Sequence, residues 1–264
     1  MGATSGDLRA INLGEVFQTR HQTVVALQDF TLDVRGGEFV CLLGPSGCGK
    51  STFLNIAAGF LSATAGQLLL DGRPITGPGR DRGVVFQEHA LFPWLSVADN
   101  ICFGLRMRGI SHDERQQTIR HYINLMGLAG FEASFPKELS GGMRQRVAIA
   151  RALANDPTML LMDEPFASLD AQTRRLMQDD LIGVWQQARK TVLFVTHSIE
   201  EALLLSDRVA VMTARPGTIR EVVPVDWPRP RDDTSPEFAS AKRHIGAILH
   251  EEIVRSFERL GRNI

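Results

Sequence analysis

The rhythm of apolar and polar positions changes twice along this chain. Near the start, Phe30, Leu32 and Val34 alternate with Thr31 and Asp33, the period of a strand with one buried face, and Gly36-Gly37 then turns the chain. Residues 39–43 form a continuous apolar run closed by Gly44, as in a strand buried on both faces. Residues 50–58 read as a helix, 67–70 as a short strand, Asp71-Gly72 as a hairpin-type turn, and 84–86 as another buried strand. From Ser96 to about Leu153 the strand signal almost vanishes, and helical spacing predicts helices over 97–107, 113–126 and 143–153. Strands at 159–162, 192–195 and 209–212 then alternate with helices at 173–189 and 200–205. Such alternation predicts an α/β domain with a mainly parallel sheet and right-handed crossovers, interrupted by a helical insertion. The stretch 224–236, rich in Pro and Asp, reads as a linker, and 239–260 as a terminal helix.

Composition narrows the picture by exclusion. With 264 residues, a formal net charge of −1, 44% apolar and 22% charged residues, the chain has room for one large domain. It lacks the basic balance of a polyanion binder. The three cysteines, Cys41, Cys48 and Cys102, form no CxxC pair, which implies a reducing cytosol. No stretch approaches the roughly 18 apolar residues that span a bilayer. Met1 to Ala10 lacks a signal-peptide order, and Gly6 stands where myristoylation requires Ser or Thr. The expectation is a protein that stays inside the cell and is held at a membrane, if at all, by other chains.

Gly44-Pro45-Ser46-Gly47-Cys48-Gly49-Lys50-Ser51-Thr52 fits G-x-x-x-x-G-K-[ST], with a strand before it and a helix after. Each residue type has a physical reason. Gly44, Gly47 and Gly49 permit positive φ and close backbone approach. Successive N–H groups then form a nest for anionic oxygens, to which the start of the helix adds about half a positive charge. Lys50 places a full charge on the β- and γ-phosphates of a bound nucleotide, ATP, and the Ser51 hydroxyl suits Mg2+. The same helix end and Lys50 favour the thiolate of Cys48, so a reactive thiol protected by ATP is expected. Hydrolysis needs a second metal contact and a group that orients water. Thr158-Met159-Leu160-Leu161-Met162-Asp163-Glu164 delivers two carboxylates to the C-terminal end of a buried strand, where open α/β sheets bind ligands. Asp163 would hold Mg2+ through water, and Glu164 would polarise the attacking water.

Leu139-Ser140-Gly141-Gly142-Met143-Arg144-Gln145-Arg146 resembles the signature of ATP-binding cassette (ABC) proteins, and other landmarks of that family follow in its order. Gln87 matches the glutamine after the strand at 84–86, Ser168-Leu169-Asp170 the D-loop, and Thr196-His197 the switch histidine. Phe17 falls where an aromatic residue stacks on adenine. The resemblance covers roughly residues 10–216. It implies an α/β P-loop NTPase core with a mainly parallel sheet, an N-terminal antiparallel β-subdomain and a helical insertion at about 88–155. The ATPase domain would run over 8–230, followed by a short helical tail at 231–264. It also implies a head-to-tail homodimer in which Ser140, Gly141 and Gly142 of one chain complete the γ-phosphate site of the other. Gln87 would contact Mg2+ as one of the catalytic residues, with Glu164 and His197, and His197 would contact the γ-phosphate. Taken alone, Ser140 also fits a plain helix cap.

Gly77-Pro78-Gly79-Arg80-Asp81-Arg82-Gly83-Val84-Val85-Phe86-Gln87 followed by Leu91-Phe92-Pro93-Trp94 resembles the nitrate/sulfonate/taurine group of bacterial importers, with the taurine and aliphatic-sulfonate ATPases most alike. Partners implied are two membrane-spanning permease subunits and a periplasmic or lipid-anchored solute-binding protein, at the cytoplasmic face of the inner membrane. Nucleic acid is not an expected partner. The solute is a small anion such as taurine or another alkanesulfonate; nitrate or a pyrimidine precursor are alternatives within the group. An export cassette, a non-transport cassette and a small-molecule kinase fit less well: the chain lacks tandem cassettes, and a kinase should lack the signature. The apolar cluster Leu91, Phe92, Trp94 and Leu95 fits either a docking surface for a permease helix or a small satellite core. The tail after Pro216 is too short for a further β-domain.

Overall fold

A computed structural model of the protein describes residues 5–18 and 22–259. The first four residues of the leader reading and Leu260 of the expected terminal helix lie outside them. The chain forms two compact units, residues 1–79 with 191–264 and residues 80–190.

In the first unit, β1 (Leu8–Gln18), β2 (Thr23–Val34), β4 (Ala65–Leu70) and β5 (Arg73–Pro74) make an antiparallel sheet in the order β2-β1-β4-β5. Asp71 and Gly72 both take positive φ, which builds the tight β4–β5 turn that their sequence predicts. A second set of strands holds β3 (Phe39–Leu43) between β8 (Thr191–Thr196) and β9 (Arg208–Met212), all parallel. β10 (Ile219–Pro224) adds antiparallel to β9, a strand the sequence pattern does not reveal because Arg220, Glu221 and Pro224 break the alternation on both of its faces. Every residue of β3 and β8 is buried, as continuous apolar runs require. Helix α1 (Lys50–Ala58) is fixed by Phe53, whose ring lies 4.3 Å from that of Phe30 on β2. Burying such a ring contributes about 1.5–3 kcal/mol.

Two further helices, α6 (Ile199–Leu205) and α7 (Pro236–Arg259), complete this unit, α7 through the buried Phe238 and Ile245. The segment before α7 is not the linker its composition suggests. The buried guanidinium of Arg231 donates to the carbonyls of Leu203 and Ser206, where α6 ends, and of Val225 and Trp227. Arg229 pairs with Asp207 over 2.8 Å and donates to Leu205 O. These arginines satisfy carbonyls that a helix end leaves without partners, which pins the segment down.

The second unit contains the parallel pair β6 (Arg82–Val85) and β7 (Met159–Asp163) with α2 (Val97–Met107), α3 (His112–Leu125), α4 (Gly141–Leu153) and α5 (Ala171–Ala188). The helices start where sequence-encoded caps place them. Ser96, Ser111, Ser140 and Asp170 each accept a backbone N–H from the first turn, and Ser111 forms a capping box with Glu114. Asn100 on α2 is fully buried and directs its amide group to the loop before it. Its oxygen accepts from Phe92 N, and its amide donates to the carbonyls of Phe92, Leu95 and Ser96. That loop divides the apolar cluster. Phe92 packs on Phe103 at 4.4 Å under the guanidinium of Arg151, whereas Trp94 is 70% exposed. None of the described helices is long and apolar enough to cross a membrane.

Candidate functional site

The parallel register decides where the chain leaves the sheet in the first unit. Leu43 pairs with Thr196 and with Val211, so the phosphate loop, His197 and the turn after Met212 all emerge at the same C-terminal edge. In the loop, Gly47 and Gly49 have φ of 76° and 108°, which only glycine adopts without strain. Helix α1 begins at Gly49 with no side-chain cap, unlike α2 to α6. A helix start without an acid or hydroxyl cap suits an anionic guest.

Lys50 is 6% exposed. Its ammonium donates to the carbonyls of Gly44 at 2.8 Å and Pro45 at 3.0 Å, with the Cys48 sulfur at 4.0 Å. A buried ammonium held by neutral carbonyls is a positive centre that a phosphate oxygen can neutralise. The loop thus fits a phosphate chain, and the Ser51 hydroxyl within it is a hard oxygen donor of the kind Mg2+ takes.

Cys48 corrects the sequence-based expectation of a reactive thiol. It is 1% exposed, and its sulfur lies 3.9 Å from that of Met212. Burial pushes the thiol up from its ordinary value, and the nearby Lys50 only partly opposes this. The helix-end argument neglected desolvation, which wins here.

His197 is exposed directly beyond β8. Its turn is shaped by Thr196, whose hydroxyl donates to Glu201 over 2.6 Å and accepts from Ser198 N, and by Ser198, which caps α6. Phe17 stands exposed near the end of β1, opposite Val24. The strand below it is anchored by the buried carboxylate of Glu15, which accepts from Thr64 N and Oγ1. One participant escaped the sequence reading. Arg215 donates from Nε and Nη2 to the carbonyl of Gly47 inside the phosphate loop, at 3.2 and 3.1 Å. Its signal was a cation in Arg215-Pro216-Gly217, a turn signature directly after an apolar strand.

The second unit gathers the remaining residues in two places. Val85 pairs with Met162, so Gln87 and the Asp163-Glu164 pair leave β6 and β7 at the same end. Gln87 is exposed, and both acids are half-buried. Glu164 has φ of 43°, an unusual backbone for a glutamate and one that collects at functional sites. His89 and Ala90 beyond Gln87 also have positive φ, and Arg151 of α4 clamps both their carbonyls. Ser140 serves as the N-cap of α4, accepting from Met143 N at 3.2 Å, with Gly141 and Gly142 in its first turn. Asp170 caps α5, and the N–H groups of Thr173 and Gln172 hold its carboxyl below the usual range.

Comparison with known proteins places the chain in a family. The sequence model of the family described as ABC transporter matches residues 27–167. An uncharacterized ABC transporter ATP-binding protein of Methanocaldococcus jannaschii is 52% identical, over 95% of this chain and 94% of its own length. The taurine import ATP-binding protein of Rhizobium johnstonii is 49% identical over 87% of this chain and 90% of its own. The nitrate import ATP-binding protein of Synechocystis is 44% identical over 92% and 94%. A dimeric ATP-binding cassette solved in a post-hydrolysis state with ADP and phosphate superposes with a TM-score of 0.74 at 31% identity, covering 83% of this chain and 99% of that one. The chain belongs to the ABC transporter family, as an ATP-binding member that hydrolyses ATP to drive transport.

Proposed function

We propose that this chain is the ATPase subunit of a bacterial importer of a small anionic solute, such as taurine or another alkanesulfonate. It works as a head-to-tail homodimer beneath two membrane-spanning permease subunits, at the cytoplasmic face of the inner membrane, with a solute-binding protein delivering cargo outside. The observation that carries the ATPase part is the phosphate loop: a buried Lys50 whose ammonium donates to the loop carbonyls of Gly44 and Pro45, beside a helix start with no side-chain cap. Support for import comes from relatives named for taurine and nitrate import. Nitrate is the second reading, on the 44% identity to a nitrate import protein.

In the proposed reaction Lys50 exchanges the carbonyls of Gly44 and Pro45 for the β- and γ-phosphate oxygens of ATP. The residues from Gly44 to Thr52 hold the phosphate chain, and Phe17 stacks on adenine. Ser51, Asp163 and Gln87 would hold Mg2+, which would neutralise charge on the β- and γ-oxygens. Glu164 orients water for in-line attack on the γ-phosphorus. His197 stabilises the charge that develops on the γ-phosphoryl oxygens, as do Ser140, Gly141 and Gly142 of the partner subunit. Hydrolysis reopens the dimer, and the permeases convert closing and opening into alternating access.

Glu164→Gln tests the mechanism. ATP binding should persist, hydrolysis should fall about a hundredfold or more, and closed dimers should accumulate in light scattering. Near-normal turnover would remove Glu164 from its role. Solute identity is tested by deleting the gene in its host: loss of growth on taurine as sulfur source supports sulfonate uptake, and loss on nitrate as nitrogen source replaces it.

A further inference from the structure

A loop that turns its N–H groups toward an anion turns carbonyls the other way, and each of those needs a donor from outside. The ammonium of Lys50 serves Gly44 and Pro45. Gly47, at the tip of the loop, is served by Arg215, whose Nε and Nη2 both reach its oxygen. Arg215 sits in the turn between β9 and β10, and that turn is firmly built. Thr213 N donates to Thr218 O over 3.0 Å, Thr213 Oγ1 donates to Pro216 O over 2.9 Å, and Thr218 N donates to Thr213 Oγ1 over 3.0 Å. The turn is bound to β2 by Gly217 N donating to Ala26 O and Gln28 N donating to Gly217 O.

The turn has a second anchor, from the far end of the chain. Ala214 N, the residue before Arg215, donates to Oε2 of Glu252 on α7 over 3.1 Å. Glu252 is only 4% exposed, and its other oxygen accepts from Arg255 over 2.9 Å. A contiguous chain of contacts therefore runs from α7 through Glu252, Ala214 and Arg215 to the carbonyl of Gly47.

We propose that Arg215 is a positioning residue for ATP binding, and that Glu252 holds it in register so that the C-terminal helix sets nucleotide affinity. This rests on the reading of residues 44–52 as the phosphate site. Arg215 is itself exposed, so its fork adds little to folding stability. What it fixes is the plane of one peptide in the loop. Without it, Gly47 O is released to water, and the peptide it belongs to is free to turn. The cost then falls on nucleotide binding, through the entropy of ordering the loop on each binding event.

The test uses the full chain, a fluorescent ATP analogue and steady-state hydrolysis. Arg215→Ala should raise Kd and KM about tenfold, the size of one charge-assisted hydrogen bond, with kcat within about twofold. Its thermal midpoint without nucleotide should stay within about 2 °C. Arg215→Lys, which keeps the charge but loses the fork, should recover only part of the affinity; full recovery would overturn the positioning role. Glu252→Gln, chosen to preserve the fold, should raise Kd about threefold in the wild-type background and have no effect beside Arg215→Ala. Additive effects would overturn the link to α7. Wild-type binding together with unchanged binding by Arg215→Ala overturns the inference alone. Absence of nucleotide binding by the wild-type chain would overturn the phosphate-loop reading and the inference with it.

Discussion

Replacing Gly217 by alanine forces two backbones apart beside the phosphate loop. The added Cβ would lie 2.0 Å from Cys48 O, 2.7 Å from the methyl of Met212 and 3.2 Å from Ala26 O. The Met212 methyl can swing aside, but the backbone oxygens cannot. Ordinary contact begins at 3.4 Å, so the turn and the loop must separate by more than about 1 Å. That separation strains the bonds of Gly217 N to Ala26 O at 2.9 Å and of Gln28 N to Gly217 O at 3.1 Å. Each contributes about 1 kcal/mol net. Forced overpacking adds about 1–3 kcal/mol, so the expected loss is about 2–4 kcal/mol, a large share of the roughly 5–15 kcal/mol that holds a domain folded. A shift of about 1 Å in the groups that hold a substrate can also cost up to about a hundredfold in activity. Urea denaturation should show a lowered midpoint with an unchanged slope, and nucleotide titration a weakened affinity. A variant with wild-type midpoint and wild-type affinity would refute the close packing of turn on loop.

Other outcomes follow from the same geometry. All three cysteines are buried, so a thiol-reactive dye at pH 7 should label the native chain slowly and all three sites in guanidinium; rapid native labelling of Cys48, blocked by ATP, would restore the reactive-thiol reading. Burial holds His89 neutral below its ordinary value of 6.5, outweighing the opposing contribution of Gln145, with Arg144 acting in the same direction as burial. As pH falls, the unfolded chain therefore takes up this proton first, and stability is lost from pH 6.5 downward through the folded value. His89→Gln should flatten that part of the stability profile, and identical profiles would sink the assignment. Ser140→Ala should cost about 1 kcal/mol through the lost cap on α4. A far larger loss of hydrolysis than that accounts for would mark its role toward the partner's nucleotide, whereas unchanged hydrolysis would leave Ser140 a cap. Trp94→Ala, at a 70% exposed position, should change stability by less than about 0.5 kcal/mol yet abolish co-purification with the membrane subunits; retained assembly would refute docking there.

Much of this molecule was legible in one dimension because the deciding forces are local. The run from Phe39 to Leu43 could only be a buried strand, and the glycines after it mark a loop of unusual φ. Ser140 reads as a helix start from the sequence, and it caps α4 through a hydrogen bond to Met143 N three residues on. The parallel order then follows from strand–helix alternation, and it carries Gly44 and His197 to one sheet edge. What only the tertiary structure decided depends on partners distant in sequence. The state of Cys48 is set by burial against Met212, which outweighs the helix end and the lysine beside it. A Pro-rich stretch becomes an anchored strap because Arg229 and Arg231 meet the carbonyls that end α6. Arg215 joins the phosphate loop because β9 runs parallel to β3 and ends at the same edge. Periodicity and caps report each residue's neighbours along the chain, whereas desolvation and long-range hydrogen bonds depend on what the fold brings beside it.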